Sequence, residues 1–282
     1  MSFLKVIVLA IVQGLAELLP VSSSAHVVVA EKLMGLDPSA PAMTLLLVML
    51  HTGTMFAVIV YFWRRWRETY FASMAQFKRT ALQVIVATAL TGIIGEGLIL
   101  LIEKSAHAPI EDLFGHLEWI APALAAAGIL ILVAGLREGR RTASGSGDAM
   151  TTRQASIIGA VQGLSLPFRG FSRSGATIST AMLSGVPKAS AENFSFALAV
   201  VLTPPAVARE ALRVLRAQHA GGAAALSSAA VPSLLGAALA FVAGLLALRW
   251  LSGWLEGGRW YLFGLYCLLA AAAVGGLHLA GY

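Results

Sequence analysis

The chain has 282 residues, of which 58% are hydrophobic and only 12% are charged, and its mean hydropathy is +0.79. Soluble domains carry about 25% charged residues, so this composition excludes an ordinary water-soluble globule and indicates a membrane protein. The formal net charge of +6 is typical of Lys and Arg on the cytoplasmic side of a membrane, and it suits an anionic lipid partner better than nucleic acid.

The apolar runs are continuous rather than alternating, which favours membrane-spanning helices over a β-barrel. A spanning helix needs about 20 apolar residues. The predicted fold class is therefore an all-α polytopic membrane protein with about six transmembrane helices. These cover residues 42–63, 81–102, 119–136, 194–208, 231–251 and 260–280.

Two further apolar segments, residues 3–35 and 155–187, are each interrupted by Gly, Pro and a polar cluster. A broken helix at membrane depth is tolerated only where its backbone is buried in protein or faces a cavity. Both segments are therefore predicted to be re-entrant helix hairpins.

Val-Gln-Gly-Leu occurs at 12–15 and again at 161–164, at matching places in the two broken segments. Each segment is followed by three predicted spans, and an odd number of spans inverts the second copy relative to the first. We predict a single membrane domain, 1–282, built from an inverted repeat of 1–136 and 154–282. Broken segments at matching positions of inverted repeats point to a binding site near the membrane midplane, where the two hairpins meet.

Basic residues in the loops 64–79 and 137–153 place these loops in the cytoplasm by the positive-inside rule. The acidic loop 103–118 is then outside, as is the N-terminus. The arginines at 209, 213 and 216 disagree, because the inverted arrangement places them outside.

Within the second broken segment, Arg173 is flanked by Ser172 and Ser174, with Gly170 and Thr177 close by. The planar guanidinium matches pairs of phosphate oxygens, and serine hydroxyls and backbone N–H groups in a glycine turn can also bind an anion. A helix that begins near Ser174 would add a partial positive charge. The alternative is an arginine that reaches lipid headgroups beside serines that cap a helix.

In the first broken segment, Gln13 and Glu17 are four residues apart and share one face of a helix. Ionisable groups at membrane depth are costly and by default mark function. A carboxylate near a phosphate needs a cation between them, so Glu17 is a candidate ligand for Mg²⁺ or Ca²⁺, with Gln13 as a neutral helper. Two alternatives remain: Glu17 orients His26, or it forms a structural ion pair with Arg173.

His26 follows Ser22, Ser23 and Ser24, which is the composition of a base beside a nucleophile. Ser22 as the N-cap of a helix that begins near Ser24 is the competing interpretation. In the first predicted span, 42–63, His51 either lines the cavity or is an interior histidine with its hydrogen bonds satisfied; the sequence favours neither.

Together these stretches resemble the undecaprenyl-diphosphate phosphatases of the bacitracin-resistance type. The first family motif, E/Q-G-x-x-E and then L-P-V-S-S-x-x-H, corresponds to 13–17 and 19–26. The second, P-G-x-S-R-S-x-x-T, corresponds to 170–177, and the runs 62–65 and 194–196 also look like the family. Two positions depart from it: Arg169 replaces the motif proline, and Gln13 stands where many members have glutamate.

The resemblance implies hydrolysis of undecaprenyl diphosphate to undecaprenyl phosphate and inorganic phosphate. It also implies a divalent cation, a site on the outer face of the cytoplasmic membrane, and a role in peptidoglycan synthesis, cell shape and antibiotic resistance. Under this interpretation Ser23 is the favoured nucleophile, with Ser22 or a water activated by His26 as alternatives. The rival function is a flippase for an anionic polyprenyl lipid, without hydrolysis. The sequence does not set the oligomeric state, and a homodimer is one alternative.

Overall fold

The computed structural model describes residues 2–36, 41–107, 109–110, 114–138, 150–217, 223–256 and 258–281. Residues 111–113 of the acidic loop and 139–149 of the second basic loop lie outside these ranges, as do the side chains at 213 and 216. Ten helices occupy the described ranges, and no strand occurs there. They are α1 (Phe3–Leu18), α2 (Ser23–Leu33), α3 (Pro41–Thr69), α4 (Met74–Ala106), α5 (Leu117–Glu138), α6 (Thr152–Leu164), α7 (Arg173–Leu183), α8 (Lys188–Ala217), α9 (Ala223–Glu256) and α10 (Trp260–Leu279).

Six of these helices are long and apolar enough to cross a membrane, which confirms the predicted all-α polytopic membrane fold. Their candidate spans are Met43–Thr69, Met74–Ala106, Leu117–Glu138, Lys188–Arg209, Ala230–Trp250 and Trp260–Leu279. The remaining four helices are short and form two pairs, α1–α2 and α6–α7, at the places of the two broken segments. The re-entrant path of each pair and the inverted repeat stay predictions.

The chain divides into two compact units. The first contains Met1–Leu19, Ser23–Tyr61 and Ala199–Trp250, and therefore α1, α2 and most of α3, α8 and α9. Its apolar core comes from α1, α2, α3 and α9, and its buried members include Leu9, Val27, Leu46 and Ala240. In this unit the start of α1 is joined to the end of α2, because Lys5 Nζ donates to the Met34 carbonyl oxygen at 2.7 Å.

The second unit contains Pro20–Ser22, Phe62–Leu198 and Leu251–Tyr282. Here α5 packs along α10, and α4 packs along α6. The indole of Trp260 on α10 is fully buried and donates to Ser179 Oγ on α7 at 3.0 Å. The hydrophobic effect does not drive helices together inside a lipid bilayer, so interhelical hydrogen bonds of this kind contribute to their association. They hold α7, which carries the second polar cluster, on a rigid base.

Candidate active site

The Glu17 carboxylate, in the last turn of α1, is a meeting point for polar side chains of the first unit. Gln13 Nε2 donates to Glu17 Oε2 at 3.1 Å, Ser23 Oγ donates to the same oxygen, and His51 Nε2 lies 3.8 Å from it. We call these four residues the Glu17 group. Only 13% of the Glu17 side chain is exposed, so the carboxylate is shielded but reachable.

The local structure explains how the Glu17 group forms. Gln13 and Glu17 face the same way because they are one helical turn apart. The α1 helix then ends, and α2 begins at Ser23, which brings the Ser23 hydroxyl back to the carboxylate. A serine whose hydrogen is already donated to a carboxylate is placed to lose that proton, which is the arrangement of an activated nucleophile.

Ser22 has a left-handed backbone with φ of 67°, and it is buried. An N-cap residue normally has extended backbone angles, so Ser22 does not have N-cap geometry, contrary to the competing interpretation from the sequence. A non-glycine residue in this conformation costs of order 1–3 kcal/mol, and such residues cluster at active sites.

His26 is half-buried in the first turn of α2, three residues after Ser23, so the two side chains share a helix face. The hydrogen bond of Ser23 described above goes to Glu17 rather than to an imidazole. The roles of Ser22, Ser23 and His26 in catalysis stay predictions.

His51 is the member of the Glu17 group for which the sequence left two interpretations open, a cavity-lining residue or an interior histidine. Its Nδ1 lies 2.8 Å from the Leu47 carbonyl oxygen. Because a carbonyl can only accept, Nδ1 carries the hydrogen of that bond, and Nε2 is the ring nitrogen that lies beside Glu17. The sequence signal was an imidazole in a long apolar helix, followed by Thr52, Gly53 and Thr54.

The second polar cluster, residues 170–177 in the second unit, is the turn into α7, and we call it the Arg173 turn. Ser172 is the N-cap of α7, and its Oγ accepts from Gly175 N at 3.2 Å. Arg173 is the first residue of the helix and is half-buried, while Ser174 is buried. The helix therefore begins where the sequence indicated. The Arg173 side chain is attached to its first residue, at the positive end of the helix dipole.

Gly170 has a φ of 102°, which favours glycine. A Cβ atom there would come within 2.5 Å of the Ile120 carbonyl oxygen on α5. The glycine of the second motif is thus needed for the turn to lie against α5, and the start of the Arg173 turn is fixed in place.

Thr177 is fully buried, and its Oγ1 donates to the Arg173 carbonyl oxygen at 2.8 Å. Ser195 Oγ on α8 lies 2.6 Å from the same Thr177 oxygen, and Ser195 is then the donor of that bond. Both contacts hold the first turn of α7. Direct binding of substrate by Thr177 stays a prediction. Ser195 was not singled out from the sequence, where its signal was a hydroxyl between Phe194 and Phe196.

The described ranges contain no group of three or more His, Cys, Asp or Glu side chains arranged to hold a metal ion. A site made of protein ligands alone is therefore not present in the part of the chain that the structure describes. Mg²⁺ is commonly held by one or two carboxylates together with substrate phosphates and water. Glu17, as a shielded but reachable carboxylate, fits this second mode.

The six apolar helices and the two polar clusters define an integral membrane protein equipped for phosphoryl chemistry. The carboxylate, hydroxyl and imidazole of the Glu17 group can move protons, and the Arg173 turn can hold an anion.

Comparison with known proteins agrees with this class. Residues 6–273 match the family model described as "Bacitracin resistance protein BacA", and the chain belongs to this family. It is 56% identical to "Undecaprenyl-diphosphatase 2" of Acinetobacter baylyi, with 97% of each chain covered. It is 37% identical to "Undecaprenyl-diphosphatase 2" of Burkholderia thailandensis, with 96% of this chain and 95% of the relative covered. The family predicted from the motifs is confirmed.

Proposed function

We propose that this chain hydrolyses undecaprenyl diphosphate to undecaprenyl phosphate and inorganic phosphate. The observation that carries the proposal is the Glu17 group, in which a hydroxyl donates to a shielded carboxylate beside an imidazole. A carrier without chemistry needs no such group. The names of the two relatives and the match to the family support the same activity.

In the proposed mechanism the Arg173 guanidinium binds the diphosphate oxygens in pairs, and the N-terminus of α7 contributes its dipole. Buried Ser172 fixes the first turn of the helix through Gly175 N, so Arg173 begins from a rigid position. Gly170 and Ser174 supply backbone N–H groups to the same turn. That Arg173 and Glu17 act on one diphosphate is part of the proposal, and its support is the presence of both motifs in one family.

Ser23 is the proposed nucleophile, and Glu17 takes its proton. Attack of Ser23 Oγ on the terminal phosphorus forms a phosphoserine and breaks the bond to the bridging oxygen, which leaves as part of undecaprenyl phosphate. Water then cleaves the phosphoserine and releases inorganic phosphate. In the alternative route, His26 activates a water that attacks the same phosphorus directly. Ser22 remains the second candidate nucleophile.

Glu17 would hold the proposed divalent cation, Mg²⁺ or Ca²⁺, together with substrate phosphate. Such an ion supplies charge neutralisation for the transferring phosphoryl group. Gln13 now directs its amide nitrogen to Glu17, and a half-turn of the amide would present its oxygen instead. Gln13 can therefore act as the neutral helper ligand that the sequence predicted.

The proposed location is the bacterial cytoplasmic membrane, with the site facing outward. The support is the pattern of basic and acidic loops and the origin of the relatives. The proposal leaves a homodimer as an alternative assembly, which sedimentation in detergent would decide.

The test is phosphate release from undecaprenyl diphosphate by the purified chain in detergent, with and without EDTA, beside Glu17→Ala. We expect release by the wild type, its loss with EDTA, and a fall of about 10³-fold in Glu17→Ala, because a base or ligand at the reacting centre is removed. Glu68→Ala is the matched control, since Glu68 is an exposed carboxylate paired with Arg64 at the end of α3.

Phosphate release that EDTA does not affect would support the phosphatase activity and contradict the proposed divalent cation. Full activity in Glu17→Ala would overturn the assigned role of the Glu17 group. Absence of release from folded wild type would contradict the function and favour the flippase alternative.

A further inference from the structure

An apolar pocket lies in the second unit beside the Arg173 turn. It is partly open, and its empty volume, which includes the space at its mouth, is about 440 Å³. It is bounded by the end of α4, the start of α5 and the segment before the Arg173 turn. Its apolar walls include Ile102, Ile110, Trp119, Ile120 and Phe168. Apolar walls with a small number of polar groups are typical of ligand pockets.

One cation, Arg169, takes part in the lining of this pocket. Its guanidinium carbon lies 4.2 Å from the centre of the Phe114 ring, which also lines the pocket. Stacking on an aromatic face orients a guanidinium. The pocket therefore combines apolar walls with a guanidinium at one edge. This cation occupies the position of the family's motif proline.

The pocket is continuous with the Arg173 turn. Arg169 directly precedes Gly170, and Ile120 lines the pocket with its side chain while its carbonyl oxygen faces Gly170. A ligand with its apolar part in the pocket would thus have its polar end at the beginning of the anion-binding turn.

The depth of the pocket in the membrane also fits a lipid with a charged end. Ile102 is close to the end of the α4 span at Ala106, and Trp119 is close to the start of the α5 span at Leu117. Helix ends with an exposed tryptophan mark the membrane–water interface. At this depth a membrane lipid has its phosphate groups on the water side and its first apolar carbons just beneath.

We propose that this pocket binds the isoprene units next to the diphosphate of a polyprenyl diphosphate, and that Arg169 directs the diphosphate toward the Arg173 turn. In a prenyl diphosphate the apolar carbons begin one bond from a phosphate oxygen, whereas a glycerol unit separates phosphate from acyl chains in a phospholipid. Apolar walls that adjoin a cation fit the prenyl compound better. This inference rests on the proposed function and assigns a substrate subsite to it.

The test uses steady-state phosphate release from a C15 and a C55 prenyl diphosphate. Ile102→Trp fills the pocket, and Trp119→Ala removes one wall, whose side chain is about half exposed. For both variants we expect KM to rise about tenfold, which corresponds to losing the burial of roughly two CH₂ groups. We expect kcat to stay within about twofold of wild type. The rise should be equal for both substrates, because they share the isoprenes next to the diphosphate.

Ile93→Trp is the matched control, since Ile93 is on the same helix as Ile102 but is 70% exposed. It should leave KM unchanged. Arg169→Gln should raise KM for both substrates, and Arg169→Lys should recover part of the loss because it keeps the charge.

Inactivity of the wild type would overturn the proposed function and this inference with it. With an active wild type, unchanged KM in Ile102→Trp and Trp119→Ala would overturn the inference alone, even if their thermal unfolding shifts, because the pocket would then hold acyl chains of membrane lipid. A KM change for the C55 substrate only would also contradict it, because distal isoprenes would then occupy the pocket.

Discussion

The two short helix pairs, α1–α2 and α6–α7, are held together by matching hydrogen bonds. In the first pair Lys5 Nζ donates to the Met34 carbonyl oxygen, and in the second Gln154 Nε2 donates to the Ser184 carbonyl oxygen at 3.0 Å. Each bond joins the start of one helix to the end of the other. The helix pairs are thus closed in the same way, although they lie in different units.

The glycines of the shared Val-Gln-Gly-Leu also have the same function. A Cβ atom on Gly14 would come 2.5 Å from Ala243 Cβ on α9, and one on Gly163 would come 2.9 Å from Ile94 Cβ on α4. In both pairs the first helix lies against a long helix at a distance that only glycine permits, which is common between membrane helices.

The glutamines of the same motif differ. Gln13 donates to the Glu17 carboxylate, whereas Gln162 donates to Thr91 Oγ1 on α4 at 3.0 Å. Thr91 in turn donates to the Gly159 carbonyl oxygen at 2.9 Å and joins α4 to α6. The same residue at the same place therefore supports a reactive group in one pair and helix packing in the other. The packing of the helix pair is repeated in the two units, whereas the reactive polar group is not.

The largest expected effect comes from Arg173, the first residue of α7. Arg173→Ala should lower kcat/KM for undecaprenyl diphosphate by about 10³-fold or more, because it removes paired hydrogen bonds to the phosphoryl group. Arg173→Lys should fall between the two, since it keeps the charge but loses the planar fork. Phosphate release and thermal unfolding in detergent measure both effects.

Arg153→Ala serves as the control for a lost cation, because Arg153 is exposed on α6 of the same helix pair. Its kinetics should match those of the wild type. Near-normal turnover in Arg173→Ala would exclude the Arg173 turn as the phosphate site and would leave the second pair with packing functions only.

The sequence was sufficient to predict the six spans, the two helix pairs and the start of α7. Apolar run length, helix-breaking residues and the N-cap serine are local signals, and each determines a local structure. The left-handed backbone of Ser22 was not predicted, because a serine just before a helix also has the local signal of an N-cap.

Contacts between distant residues could not be predicted in the same way. His51 is 34 positions from Glu17 along the chain, and no local signal favoured Glu17 over any other partner. The stacking of Arg169 on Phe114 and the bond between Thr177 and Ser195 also depend on tertiary packing. Each requires knowing which helices are neighbours.

An imidazole is a further difference between the two polar clusters, because His51 lies beside Glu17 whereas the Arg173 turn contains no histidine. His51→Gln should lower kcat about 10- to 100-fold, because the imidazole contacts the Glu17 carboxylate and orients it. Steady-state phosphate release by the variant and the wild type would measure this.

His278→Gln is a closely matched control. His278 Nε2 lies 3.7 Å from a carboxylate oxygen of Glu118, and 43% of its side chain is exposed, compared with 44% for His51. It should leave kcat unchanged. Equal effects of the two substitutions would indicate that His51 contributes only a surface ion pair.

The smallest expected effects come from the glutamines themselves, which test the difference between the two pairs directly. Gln13→Leu should lower kcat/KM about tenfold, because it removes a hydrogen bond to the Glu17 carboxylate, and such bonds to charged groups are worth about 1.5 kcal/mol or more. Gln162→Leu should leave activity per folded protein within about twofold of wild type and change the free energy of unfolding by about 1 kcal/mol or less.

The change at Gln162 is small because two contributions oppose each other. Leucine removes the bond to Thr91, which keeps its own bond to Gly159. It also removes Gln162 Oε1, a buried acceptor without a hydrogen-bond partner among the described residues. If Gln162→Leu instead lowered turnover as much as Gln13→Leu without destabilising the protein, the two glutamines would have equivalent functions. Both helix pairs would then support the reaction, and the repeat would extend from helix packing to catalysis.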